Sequence, residues 1–139
     1  MTEHDRDFAV PSGYEPWEMR GGFGKWFGPV YIDRANSRMA FRVSEEHTNP
    51  VDGLHGGALA TFIDAHIAVC YFNDTMHCPT INLNIDYMRA ARRGDWLEAD
   101  ITIMRVTKNL IFTKSVVRVG DAVVAGASGV YRNDGVPPR

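Results

Sequence analysis

The sequence predicts an α+β domain in which an antiparallel sheet of about five to six strands curls around one long central helix, and three observations predict it. The stretch "GGALATFIDAHIAVCYF" from Gly56 places Ala58, Leu59, Phe62, Ile63, Ile67, Cys70 and Tyr71 at helical spacings with almost no charge, the pattern of a helix buried nearly all round. "TINLNIDYM" then alternates Ile81, Leu83, Ile85 and Tyr87 against Thr80, Asn82, Asn84 and Asp86, as a strand with one buried and one polar face does. "DWLEADITIMRV", "LIFTKSVVRV" and "AVVAGASGVY" follow, with "TKN" and "GD" between them, a meander of three long strands.

The remaining elements fall around these. Residues 1–27 are rich in Gly, Pro and charge and read as a loosely ordered lead-in with a short helical turn around Trp17. "GPVYIDRANSRMAFRV" (Gly28–Val43) reads as a hairpin turning at "DRANSR". Residues 28–133 form the expected single domain, and 134–139 a frayed tail. At 139 residues, 45% of them hydrophobic, the chain suffices for one substantial core and not for two ordinary domains.

Composition narrows the function. A formal charge of -2 with scattered basic residues, "RAARRGD" apart, gives no nucleic-acid or membrane footprint. The acidic, polar start reverses the order of a secretory signal, and no apolar run reaches bilayer-spanning length, so a cytoplasmic location is expected. Cys70 and Cys78 lack CxxC or CxxH company and read as reduced thiols rather than a disulfide or zinc site.

"NPVDGLHGGALATFID" concentrates the chemistry. Gly56 and Gly57 open the helix, where the first N–H groups have no internal partner and carry the positive end of the macrodipole, so a glycine there leaves an approachable oxyanion site. The same pair also suits a plain tight turn. Asp64 sits among apolar neighbours, where burying a carboxylate is expensive; it reads as a general base or nucleophile, or else as an acid satisfied by a hydroxyl or arginine. His66 falls on another helix face. Gly57 and Asp64 lie seven residues apart, about 10 Å along the axis, whereas a base and an oxyanion donor must both reach one reacting group. Two helices packed antiparallel across a two-fold axis would bring Gly57 of one chain to Asp64 of the other. The same dimer would continue a sheet whose edge is otherwise open.

From about Gly28 to Tyr131, Asn49 before His55-Gly56-Gly57, Asp64 six residues on, and "TINLNIDYM" resemble the hotdog-fold thioesterase superfamily, most closely its PaaI-type branch, which hydrolyses acyl-coenzyme A thioesters. The resemblance implies that the Gly57 N–H polarises the thioester carbonyl, that Asn49 contacts substrate or water, that Asp64 acts from the partner subunit, and that Thr80 helps hold the water. It makes His55 a support for the loop and places coenzyme A phosphates near Arg89, Arg92, Arg93 and the turn holding Lys108, guanidinium forks being suited to phosphate. Neither cofactor nor metal is implied. The residues taken singly keep plainer readings: Thr80 is at home in any strand, Asn49 before Pro50 suits a turn, and His47, His55 and His77 suit loops. Acyl-CoA is the expected ligand, and a homodimer, or a dimer of dimers with Asn82 and Asn84 in the contact, the expected assembly. Two rivals stand: a hotdog dehydratase or hydratase, disfavoured because Asp64 has no histidine one helix turn away, and a non-catalytic acyl-CoA-binding dimer. No GxSxG elbow or Ser-His-Asp order is present.

Overall fold

The computed structural model describes residues 9–139; the first eight residues of the expected lead-in lie outside the described residues. In order come β1 (Glu15–Trp17), α1 (Gly21–Phe27), β2 (Val30–Asp33), β3 (Arg38–Arg42), α2 (Gly56–Asp64), β4 (Thr80–Tyr87), β5 (Trp96–Val106), β6 (Leu110–Val119) and β7 (Ala122–Arg132). The strands form one antiparallel sheet in the order β1-β2-β3-β5-β6-β7-β4. The hairpin is β2–β3 and the meander β5–β7. After β3 the chain runs through α2 to the far edge, lays down β4 against β7, and returns to place β5 beside β3. The sheet therefore wraps the helix that links its two ends.

Four expectations change. The sheet has seven strands, not five to six, because Glu15–Trp17 pairs with β2, Trp17 opposite Val30; Trp17 thus ends a strand, and the helical turn comes later, at α1. The central helix is α-helical only to Asp64 and tightens to a 3-10 helix over Ala65–Cys70, whose carbonyls at Ala68 and at Tyr71 just beyond accept from Arg34 Nη1, both at 2.9 Å. The 134–139 tail is held: Val106 and Arg139 exchange backbone hydrogen bonds, and Val136 is buried. In β4 only Leu83 and Ile85 of the apolar set pack on the core, while Ile81, beside a register shift, and Tyr87 are exposed.

The core follows the periodicities. Leu59, Phe62, Ile63 and His66, at i, i+3, i+4 and i+7, bury the sheet-facing side of the helical segment, and fully burying an apolar side chain contributes about 1.5–3 kcal/mol. They meet Met39, Phe41, Leu97, Ala99 and Val117. Rings of Phe27, Phe41, Phe62 and His66 contact in succession at centroid distances of 4.9, 4.6 and 4.7 Å. His47, expected as a loop histidine, is buried and packs on Phe27 and Phe41.

Gly129 faces the helix where no side chain fits. An added Cβ would lie 2.7 Å from the Tyr131 ring and 2.8 Å from Thr113 Oγ1, and Tyr131 is itself fully buried. Gly129→Ala is expected to lower stability by about 1–3 kcal/mol through overpacking, read from urea unfolding midpoints.

Candidate active site

α2 begins with a fixed peptide. His55 is the N-cap, and its Nδ1 accepts from the Gly57 N–H at 2.9 Å. The carbonyl of that same peptide, Gly56 O, accepts from the Tyr87 hydroxyl at 2.8 Å. The Gly56–Gly57 unit is thus held from both ends, and His55 presents Nδ1 unprotonated. Gly56 N–H, exposed with its residue, has no hydrogen-bond partner among the described residues. The open donor at this helix end is therefore Gly56 N–H, with Gly57 N–H already engaged.

Asp64 is exposed in the chain rather than buried as its apolar neighbours suggested. The helix turns Leu59, Phe62 and Ile63 to the sheet, which leaves Asp64 on the opposite side with half-buried Ala60 and Thr61. Its Oδ1 accepts from Thr80 Oγ1 at 2.5 Å. Its backbone carbonyl accepts from the Tyr131 hydroxyl at 3.3 Å, and burial, then the Asp64 charge, push the Tyr131 phenol well up, keeping it a donor. His66 is buried and takes no part. Asp64 and Gly56 stand at opposite ends of α2, facing Thr80 and Tyr87 at opposite ends of β4.

Asn49 shapes its own loop: Oδ1 accepts from the N–H groups of Val51 and Gly53, both at 3.0 Å. Arg89 lines a cavity of about 370 Å³ with Gly56 and Tyr87; Arg92 and Arg93 are exposed nearby, Arg93 3.7 Å from Glu45. Lys108 lies in the β5–β6 turn, beside the Ile111–Tyr131–Thr80 end of the sheet, so a single chain does not gather it with the arginines. A cavity of about 620 Å³ holds Asp64 and Thr80, and one of about 480 Å³ holds His55 and Gly57. Sequence reasoning missed Tyr87, whose alternation marked it only as a strand residue, and the part that residues 17–24 play in lining the larger cavity.

A sequence profile described as the thioesterase superfamily matches residues 53–126, from just before α2 through β4, β5 and β6 into the start of β7. A provisionally named esterase of Pseudomonas aeruginosa is 30% identical over 128 residues, 88% of this chain and 96% of that protein. The chain belongs to the thioesterase superfamily. Within this superfamily, human acyl-coenzyme A thioesterase 13 is 32% identical over 74 residues, 52% of this chain and 53% of that one. The fold is the hotdog fold: the E. coli PaaI protein from the phenylacetic acid degradation operon superposes with a TM-score of 0.62 at 20% identity, over 71% of this chain and 72% of PaaI. Among the described residues no helix of this thioesterase-superfamily chain is long and apolar enough to cross a membrane.

Proposed function

We propose that the protein hydrolyses acyl-coenzyme A thioesters to the free acid and coenzyme A, in a homodimer whose sites each pair the α2 start of one subunit with Asp64 of the partner subunit. The observation that carries this reading is the placement of an open N–H at the start of α2 and an exposed, Thr80-bonded carboxylate at its end, about 12 Å apart along the axis for eight residues. An antiparallel partner helix closes that gap twice. β4, the sheet edge beside Asp64, supplies the unpaired backbone for joining the two sheets.

In each site the thioester carbonyl sits against Gly56 N–H, and Gly57 N–H joins it when the His55 ring turns aside. Charge developing on that oxygen is stabilised by the helix end. Asp64 then takes a proton from a water held by Thr80, whose hydroxide attacks the carbonyl carbon and expels the coenzyme A thiolate. Alternatively, its carboxylate attacks directly, expels the thiolate and leaves a mixed anhydride for water to open. Asn49 sets the loop before the helix. Arg89, Arg92 and Arg93 of one subunit, with Lys108 from the other, are placed for the coenzyme A phosphates by the same two-fold pairing. The name of the human relative supports this substrate class, and the reading carries with it a cytoplasmic enzyme, with dimers able to pair again.

Incubating the full chain with acetyl-, butanoyl-, octanoyl- and benzoyl-CoA and a thiol reagent tests the reading. Release of free coenzyme A is expected; tight binding of every acyl-CoA with no release would make the protein a binding dimer instead. Tyr87→Phe should lower kcat up to about tenfold with little change in KM, the worth of one hydrogen bond to a positioned peptide, measured with whichever acyl-CoA turns over fastest.

A further inference from the structure

We infer that Glu15–Phe27 is the specificity wall of the acyl site, with Trp17, Met19 and Phe23 setting the length of acyl chain the enzyme prefers. The inference rests on the acyl-thioester reading above and goes beyond it in assigning the preference to a segment ahead of the matched family region, 53–126.

This segment lines the cavity that holds Asp64 and Thr80. Trp17, Met19 and Phe23 line it together with Ile67 and Tyr71. Its volume of about 620 Å³ lies in the range that takes whole small ligands and exceeds by far what an acetyl group fills. The wall is held at three points. Trp17 pairs with Val30 at the sheet edge. Met19 is buried, and α1 lies so close on it that a Cβ at Gly24 would come within 2.7 Å of the Met19 Cβ. The Arg20 guanidinium donates to the Met76 carbonyl, on the segment between the 3-10 helix and β4.

α1 leaves two aromatic rings uncovered, Phe23 and the 84% exposed Trp26, and of the two it is Phe23 that lines the Asp64 cavity. α1 buries only Phe27 of its seven residues, while Phe23 is 76% exposed. Phe23 lines both the Asp64 cavity and the cavity of about 480 Å³ around His55 and Gly57, together with Thr61. An exposed aromatic ring bordering both half-sites is placed to cover apolar ligand surface. A chain long enough to reach it gains contact that acetyl cannot, each further buried methylene favouring binding about fourfold. Within it, α1 starts at Gly21 and is followed by Gly28, at φ +80° and +95°, so the helix is joined to the strands on either side through turns that side-chain-bearing residues adopt poorly.

The test is the ratio of kcat/KM for octanoyl-CoA to that for acetyl-CoA, measured on the full chain. Phe23→Ala and Trp17→Ala are expected to lower this ratio about tenfold, and Phe23→Leu to restore most of it. Because Phe23 is exposed, its replacement leaves the fold in place, which circular dichroism checks. An unchanged ratio, or an equal fall for both substrates, overturns the inference; so does dissociation of the Phe23→Ala dimer in gel filtration, which would assign the ring to the subunit contact. If the unaltered protein releases coenzyme A from no acyl-CoA, the thioesterase reading itself fails, a result distinct from a changed or unchanged ratio.

Discussion

Asp64→Ala is expected to lower kcat for coenzyme A release by about a thousandfold, the usual worth of a positioned acid or base, and to leave stability within about 0.5 kcal/mol of the unaltered protein. The second half follows from the structure. Asp64 is exposed and its only side-chain partner among the described residues is Thr80 Oγ1, so its removal orphans no buried group, and alanine is the better helix former. Loss of activity without loss of fold would separate a reacting carboxylate from a merely satisfied one. Asp64→Asn sharpens this, because the amide oxygen can still accept from Thr80 but can neither take a proton nor form an anhydride. Full turnover in Asp64→Asn would end the proposed role.

The same residue tests the sharing of sites between subunits. Gly56 is the first residue of α2, where proline is well tolerated and its missing N–H breaks no helical bond; His55 before it is extended, at φ -65° and ψ 133°, as a residue preceding proline prefers. Gly56→Pro therefore deletes the open donor alone, and a loss of about 10²–10³ in kcat is expected. Mixed with Asp64→Ala, it should regain activity. Each mixed dimer holds one site with both groups intact and one with neither, so random exchange restores about a quarter of the unaltered rate. No recovery after demonstrated subunit exchange would place both groups of a site in one chain.

How far this could be read beforehand depends on the range of the forces involved. α2, the β2–β3 hairpin and the β5–β7 meander declare themselves through 3.6- and 2-residue periods, which are local. β1 and α1 do not: "EPW" and "GGFGKWF" have poor intrinsic preferences, and they form because Trp17 finds Val30 and Phe27 finds Phe41 and His47. The alternation in β4 marked a strand without saying that its neighbour is β7. In the site, the Gly–Asp spacing was legible, and the shared two-subunit site proposed above starts from it. That the Gly57 N–H is held by His55, and its peptide carbonyl by Tyr87, was not, since the second contact depends on a register 31 residues away. Asp64 looked buried because its sequence neighbours are apolar, yet they turn to the sheet and it does not.

His66 leads to the other large effect. It is 1% exposed, and neither ring nitrogen has a hydrogen-bond partner among the described residues; its ring stands edge-on to Phe62. Burial pushes its pKa down to about 3, against about 6.5 in an unfolded chain. The folded state thus refuses a proton that the unfolded state accepts. Stability is full above pH 6.5 and falls as the pH drops toward 3, by up to about 1.4 kcal/mol per pH unit from this group. His47, also lowered chiefly by burial, adds to the slope with the same sign. Between pH 6.5 and 5 His66 alone should remove about 2 kcal/mol. His66→Leu takes away both the unpaired nitrogens and the titration. It should therefore gain about 1–3 kcal/mol at pH 7, where an unsatisfied buried polar group is relieved, and lose about 2 kcal/mol less than the unaltered protein on going to pH 5. Urea unfolding of both proteins at pH 7, 6 and 5 decides it, and parallel losses would mean that His66 does not govern the acid side of stability.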